Sequence, residues 1–99
     1  MMIKIFEIFN SEFNNGDYVL ISKKTIEMYK SYNLSPYAKI DKLGNHSLVD
    51  LIAIYNYPPN SETRVCGYFV LSISDLERKL SWDEIEQYEL EKSMLKYNL

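Results

Sequence analysis

From Tyr37 to Ser72 the chain passes through three stretches rich in β-formers, separated only by Gly44-Asn45 and by Pro58-Pro59-Asn60-Ser61. Few architectures accept that arrangement. Tyr37-Ala-Lys-Ile-Asp-Lys-Leu43 alternates, Gly44-Asn45 signals a tight turn into a strand over residues 47–57, and residues 62–72 read as a third strand. The proline pair ends the second strand because proline removes a donor from the ladder. Along the third, Val65, Gly67, Phe69 and Leu71 lie opposite Cys66, Tyr68 and Val70. The spacing predicts an antiparallel meander.

The flanks supply the other elements. Residues 2–9 read as a strand with apolar side chains on both faces, followed by a polar loop around Phe13. Tyr18-Val-Leu-Ile21 is a short strand, and Ser22 is placed to cap a helix over residues 23–32 that puts Ile26 and Tyr29 on one face. Ser35-Pro36 is expected to end that helix. Ser74-Asp75 reads as the cap of a helical turn over residues 76–80. Ser81-Trp-Asp-Glu84 has the capping-box pattern and opens a helix from Trp82 to about Tyr97, acidic at its start and with Lys92 and Lys96 at its end. Ile85, Tyr88 and Leu95 form one stripe of it. Leu90, Met94 and Tyr97 form a second, expected to cover the first strand or to join two copies.

With 99 residues, 46% apolar and 25% charged, the chain is expected to form one domain with one core. A net charge of −3 argues against a general binder of duplex nucleic acid and favours a basic protein partner. The single cysteine, Cys66, excludes an intrachain disulfide and reads as a small core residue. The longest apolar run, residues 51–55, is too short to cross a membrane, and Glu7 interrupts the opening where a signal peptide needs an apolar stretch. The expected location is intracellular, cytoplasmic or, in a eukaryote, nuclear.

Catalytic chemistry finds little support. His46 falls in the predicted turn with no nucleophile motif beside it, one Cys and one His do not furnish a zinc site, and the three glycines match no phosphate-binding loop. The carboxylates Asp17, Asp41, Asp50 and Glu62 are scattered over strand ends. No cofactor or metal is expected, and an enzyme is the minority reading. Binding residues are more visible. Tyr55 and Tyr57 share a strand face, Tyr68 and Tyr37 fall on neighbouring strands, and Glu62 is close in sequence, a set that can cage a methylated ammonium by cation–π attraction. The same tyrosines also suit ordinary strand positions. Asp83, Glu84, Glu86, Glu89 and Glu91 make a possible acidic interaction face on the last helix.

Taken in order, Gly16-Asp-Tyr-Val-Leu20, Tyr37-Ala-Lys-Ile-Asp-Lys-Leu43, Tyr55-Asn-Tyr-Pro-Pro59 with Glu62-Thr63, and Tyr68-Phe-Val-Leu-Ser72 resemble a bromo-adjacent homology (BAH) domain over about residues 16–74. The resemblance implies a curved, partly barrel-like sheet and a non-enzymatic role in docking to histones or other chromatin proteins. It places Tyr55 where that family has a cage tryptophan and Glu62 at its acidic Glu-Thr element. Pro58 stands in place of the family's arginine, and Ser61 looks inserted.

The expected fold is therefore α+β: a small curved antiparallel sheet or SH3-like partial barrel of about five strands. One short helix follows the second strand and a longer helix ends the chain. The expected function is a non-enzymatic protein-interaction module for a basic peptide or protein surface, acting as a monomer or as a homodimer through the C-terminal helix. The alternative is a small virus- or mobile-element-encoded protein that binds and inhibits a host protein, presenting the acidic helix face.

Overall fold

The computed structural model describes residues 13–97. The strand expected over residues 2–9 lies outside them. The elements run β1 (Tyr18–Ile21), α1 (Lys23–Met28), a 3₁₀ turn (Lys30–Tyr32), β2 (Tyr37–Leu43), β3 (Leu48–Asn56), β4 (Arg64–Ser72), a second 3₁₀ turn (Ile73–Asp75), β5 (Leu76–Lys79) and α2 (Trp82–Tyr97). Among the described residues five strands pair antiparallel in the order β4-β3-β2-β1-β5, and they do not close into a barrel. The meander and the flanking helices are as the sequence predicts. The fifth strand is not.

Residues 76–79, expected as a helical turn, form β5. The helical turn lies three residues earlier, at Ile73–Asp75, because Ser72 rather than Ser74 is its cap, accepting from the Ser74 amide while Asp75 accepts from the Ser72 amide at 3.0 Å. That turn is the whole connection between the two edge strands. Five strands about 4.8 Å apart put flat edges ~19 Å from each other, whereas the four Cα steps from Ser72 to Leu76 reach at most ~15 Å. The sheet has to curl.

Curvature gives the sheet a concave inner face, which holds the main core. Val19, Ile21, Ala38, Ile40, Val49, Leu51, Ala53 and Leu71 fill it, with Phe13, Leu34 and Leu76 closing the ends. A one-residue bulge assists the bend. Ile40 pairs with Leu51 but Lys42 pairs with Asp50, so Asp41 is extra, and Leu43 rather than Lys42 returns to the inner face opposite Val49.

The first helix is shorter than its pattern suggests. The α-helix stops at Met28, and Tyr29 passes the chain to a 3₁₀ turn that ends at Asn33 in the left-handed region, φ 47°. Asparagine tolerates that conformation, so the chain leaves the helix before Pro36 has any part in it. Six residues do not hold a helix alone. Here the Ser22 hydroxyl accepts from the Thr25 amide, Ile26 and Tyr29 pack on the core, and the buried Thr25 hydroxyl donates to Asp75 Oδ1 at 2.8 Å. Asp75 thus joins α1 to the edge-to-edge turn. The β2–β3 turn also differs from expectation, since the left-handed residues are His46 (φ 58°) and Ser47 (φ 66°), not Gly44 or Asn45.

The outer face is covered by α2, whose capping box forms as predicted: the Ser81 amide donates to Glu84 Oε1 at 2.7 Å and the Glu84 amide to Ser81 Oγ at 3.4 Å. Tyr88 is the residue that docks it. Fully buried, it meets Tyr18 edge to face at 5.8 Å and donates its hydroxyl to the Ile52 carbonyl at 2.7 Å. Cys66 lies on this outer side, half-buried, rather than in the main core.

Candidate functional site

Among the described residues β4 is an edge strand, and beside it lies an open groove of about 330 Å³ lined by Tyr29, Tyr32, Tyr55, Tyr57, Tyr68, Phe69 and Val70. Six of those seven are aromatic. Phe69 is the hub, with Tyr55 at 5.1 Å, Tyr29 at 5.0 Å and Tyr32 at 5.7 Å between ring centroids, each pair edge to face. This is the offset geometry that aromatic quadrupoles favour, and it sets the rings rigidly against one another.

Three elements deliver these side chains. The kink at Tyr29 brings Tyr29 and Tyr32 over the sheet from the β1–β2 connection. Tyr55 projects inward from the end of β3, and Tyr57 follows just beyond it, 59% exposed. Tyr68 and Val70 belong to the outer face of β4, where they are 68% and 53% exposed, so the groove wraps the free edge of the strand and has walls on both faces.

Gly67 makes that geometry possible. A Cβ at this position would stand 2.8 Å from the Tyr55 hydroxyl. Without one, the Tyr55 ring lies across β4 and its hydroxyl donates to the Tyr68 carbonyl at 3.2 Å. Burial pushes the Tyr55 phenol above its ordinary pKa of 10, which keeps the proton available for that bond.

Of the binding residues expected from sequence, Tyr55, Tyr57 and Tyr68 come together here. Tyr37 does not. It lines a separate groove of about 580 Å³ between α1 and β5, together with Leu20, Ile26, Glu77, Arg78 and Glu84. Glu62 is exposed in the β3–β4 connection and is not among the residues lining the tyrosine groove. Sequence reasoning missed Tyr29, Tyr32, Phe69 and Gly67. Tyr29 and Tyr32 were hidden by a straight-helix reading, whereas the Phe69 position beside Tyr68 carried a usable signal.

The acidic residues of α2 are largely engaged. Glu84 forms a two-pronged pair with Arg78 at 2.8 Å, and Glu89 accepts from the Tyr18 hydroxyl at 2.7 Å. Glu91 meets Arg64 at 3.3 Å, while Arg64 also donates to Asn56 Oδ1 and to the Asn33 carbonyl. Asp83 and Glu86 are exposed. Leu90 and Met94 also face outward and are exposed. Among the described residues there is no group of three or more His, Cys, Asp or Glu able to hold a metal ion, and no helix is long and apolar enough to cross a membrane.

Comparison of the chain with family models, curated proteins and solved structures gives no match.

Proposed function

We propose that this chain is a non-enzymatic protein-interaction module that takes a basic segment of a partner protein into the tyrosine-lined groove. The observation that carries the reading is the convergence of five tyrosines and Phe69 from three elements on one open groove at a strand edge. Such a lining offers π-faces and phenol oxygens to a cation while giving up little side-chain entropy, because the rings already brace one another. The net charge of −3 favours approach of a basic partner. A lysine or methylated lysine on an extended segment is the ligand that suits both features, and a chromatin-reader-like role is the form this takes if the resemblance to BAH domains holds.

Titration of a fluorescent histone-tail peptide set, unmodified and trimethylated at lysine, tests the reading by anisotropy. Tyr57→Ala and Tyr68→Ala remove exposed rings and leave the core intact. Each ring is worth about 1–2 kcal/mol to a cation at a partly desolvated site, so affinity should fall roughly 5–30-fold per substitution. Equal affinity in wild type and both variants overturns the site, and no binding of any basic peptide overturns the function.

A further inference from the structure

Arg64 is the one charged residue of β4, and its side chain is 25% exposed. It opens the strand directly across from Asn56, the last residue of β3. The guanidinium reaches three separate parts of the chain. Its Nε donates to Glu91 Oε2 on α2 at 3.3 Å, while Nη1 donates to Asn56 Oδ1 at 3.0 Å and to the Asn33 carbonyl. Asn33, Asn56 and Glu91 are not among the residues lining the tyrosine groove, yet two of them adjoin it in the chain. Asn33 follows Tyr32, and Asn56 stands between Tyr55 and Tyr57.

We infer that Arg64 is a positioning residue for the groove, clamping the turn that brings in Tyr29 and Tyr32 to the strand end that brings in Tyr55 and Tyr57. The effect on affinity rests on the ligand reading above, whereas the effect on the rings does not. A three-residue 3₁₀ turn does not order itself, so its place depends on what it is tied to. Three bonds tie it down. The Ser31 carbonyl accepts from the Asn60 amide at 2.7 Å, the Ser35 amide donates to the Ile54 carbonyl at 2.8 Å, and the Asn33 carbonyl between them accepts from Arg64. The first two are backbone bonds, which survive a change of side chain at Arg64. The third depends on that side chain alone.

Asn56 passes the clamp on. Its Oδ1 accepts from Arg64 and its Nδ2 donates to the Ser61 carbonyl at 2.9 Å, so turning the amide over breaks both bonds, and the connection that begins at Tyr57 is held as well. A lysine meets the charge of Glu91 but lacks the planar fork that serves the other acceptors at once. The rings follow the clamp because they are packed in series. Tyr32 meets Tyr55 at 6.3 Å and Phe69 at 5.7 Å, edge to face, so a shift of the turn takes Tyr32 off both. A ring left loose has to be ordered again when ligand binds. Charge and position also predict opposite signs. Arg64 is a cation near a groove read as taking a cation, so losing it through space alone favours a basic peptide, while losing it as a clamp weakens binding.

The test compares the full chain as wild type, Arg64→Ala, Arg64→Lys and Asn56→Ala, by aromatic proton–carbon NMR without ligand and by anisotropy titration of the trimethylated histone-tail peptide. Asn56→Ala changes no charge and cuts the same network, so it carries the test if Arg64→Ala does not fold. Without ligand, the Tyr32 and Tyr55 ring resonances should move in every variant while those of Tyr37, in the other groove, stay in place. Affinity should fall about 3–10-fold in Arg64→Ala and in Asn56→Ala, and little further in the double variant. Arg64→Lys should not restore it. Ring resonances that stay where they are in Arg64→Ala or Asn56→Ala overturn the clamp. Tighter binding by Arg64→Ala, or full affinity in Arg64→Lys, also overturns it, because either reduces Arg64 to its charge. A wild type that binds no basic peptide, with rings that still shift in the variants, overturns the ligand reading and supports the clamp.

Discussion

Gly67 shows how one missing methyl group can decide a surface. Its absence of a side chain is what lets the Tyr55 ring cross β4, so Gly67→Ala must push the tip of that ring aside, the contact being 2.8 Å. The displaced group is the far end of a flexible side chain, and the expected result is a modest change in Tm with a clear loss of peptide affinity, read by calorimetry on the same sample. Tyr88 is the opposite case. Tyr88→Ala removes the buried ring that docks α2 and should cost about 3–5 kcal/mol in urea unfolding, while Tyr88→Phe loses the bond to the Ile52 carbonyl and should cost about 1–2 kcal/mol. Tyr88 was legible from its helical spacing with Ile85 and Leu95. Tyr55 and Tyr57 were legible from their shared parity. Tyr68 joined them for a different reason, since strand alternation puts it on the far face and only the free edge of β4 lets the groove reach both sides. Tyr37 was chosen for its place on a neighbouring strand, but Ala38 pairs with Ala53, so Tyr37 projects from the face opposite Tyr55. Glu62 was chosen for nearness in sequence, which does not bring it into the groove.

At the scale of elements, the start of α2 is fixed by charge. Hydrogen bonds from Arg78, and then from the Ser81 amide, hold the Glu84 carboxyl at about 2, well below its ordinary value of 4.5. A carboxylate with a depressed folded-state pKa adds stability above its unfolded value, and that contribution is lost as pH falls through the folded one. Between pH 5 and 2 the wild-type Tm should therefore drop more steeply than that of Glu84→Gln, and the two curves should converge at the acid end. Parallel curves over the whole range would show that the pair contributes nothing to folding. The capping box behind this effect was legible as Ser81-Trp-Asp-Glu84. Its partner Arg78 was not, because residues 76–79 read as helix and their strand character comes from pairing with β1, a contact that local pattern does not carry.

For the molecule as a whole, the three residues that tie β4 to β5 set an order of events. Val19 and Lys79 pair although 60 positions separate them, while β2, β3 and β4 are joined in sequence by short turns. Loop closure favours the local meander, so the β1–β5 ladder is expected to assemble after the rate-limiting step. Asp75 belongs to that late contact, through Thr25 on α1 and the Ser72 amide. Stopped-flow chevrons of Asp75→Ala should show unfolding accelerated several-fold with the refolding limb nearly unmoved, a φ-value near zero. A refolding limb that slows in proportion would place the turn in the nucleus instead. The short tether that bends the sheet also acts as its latch: it engages last on the way in, is first to let go on the way out, and so sets the lifetime of the folded state rather than the speed of reaching it.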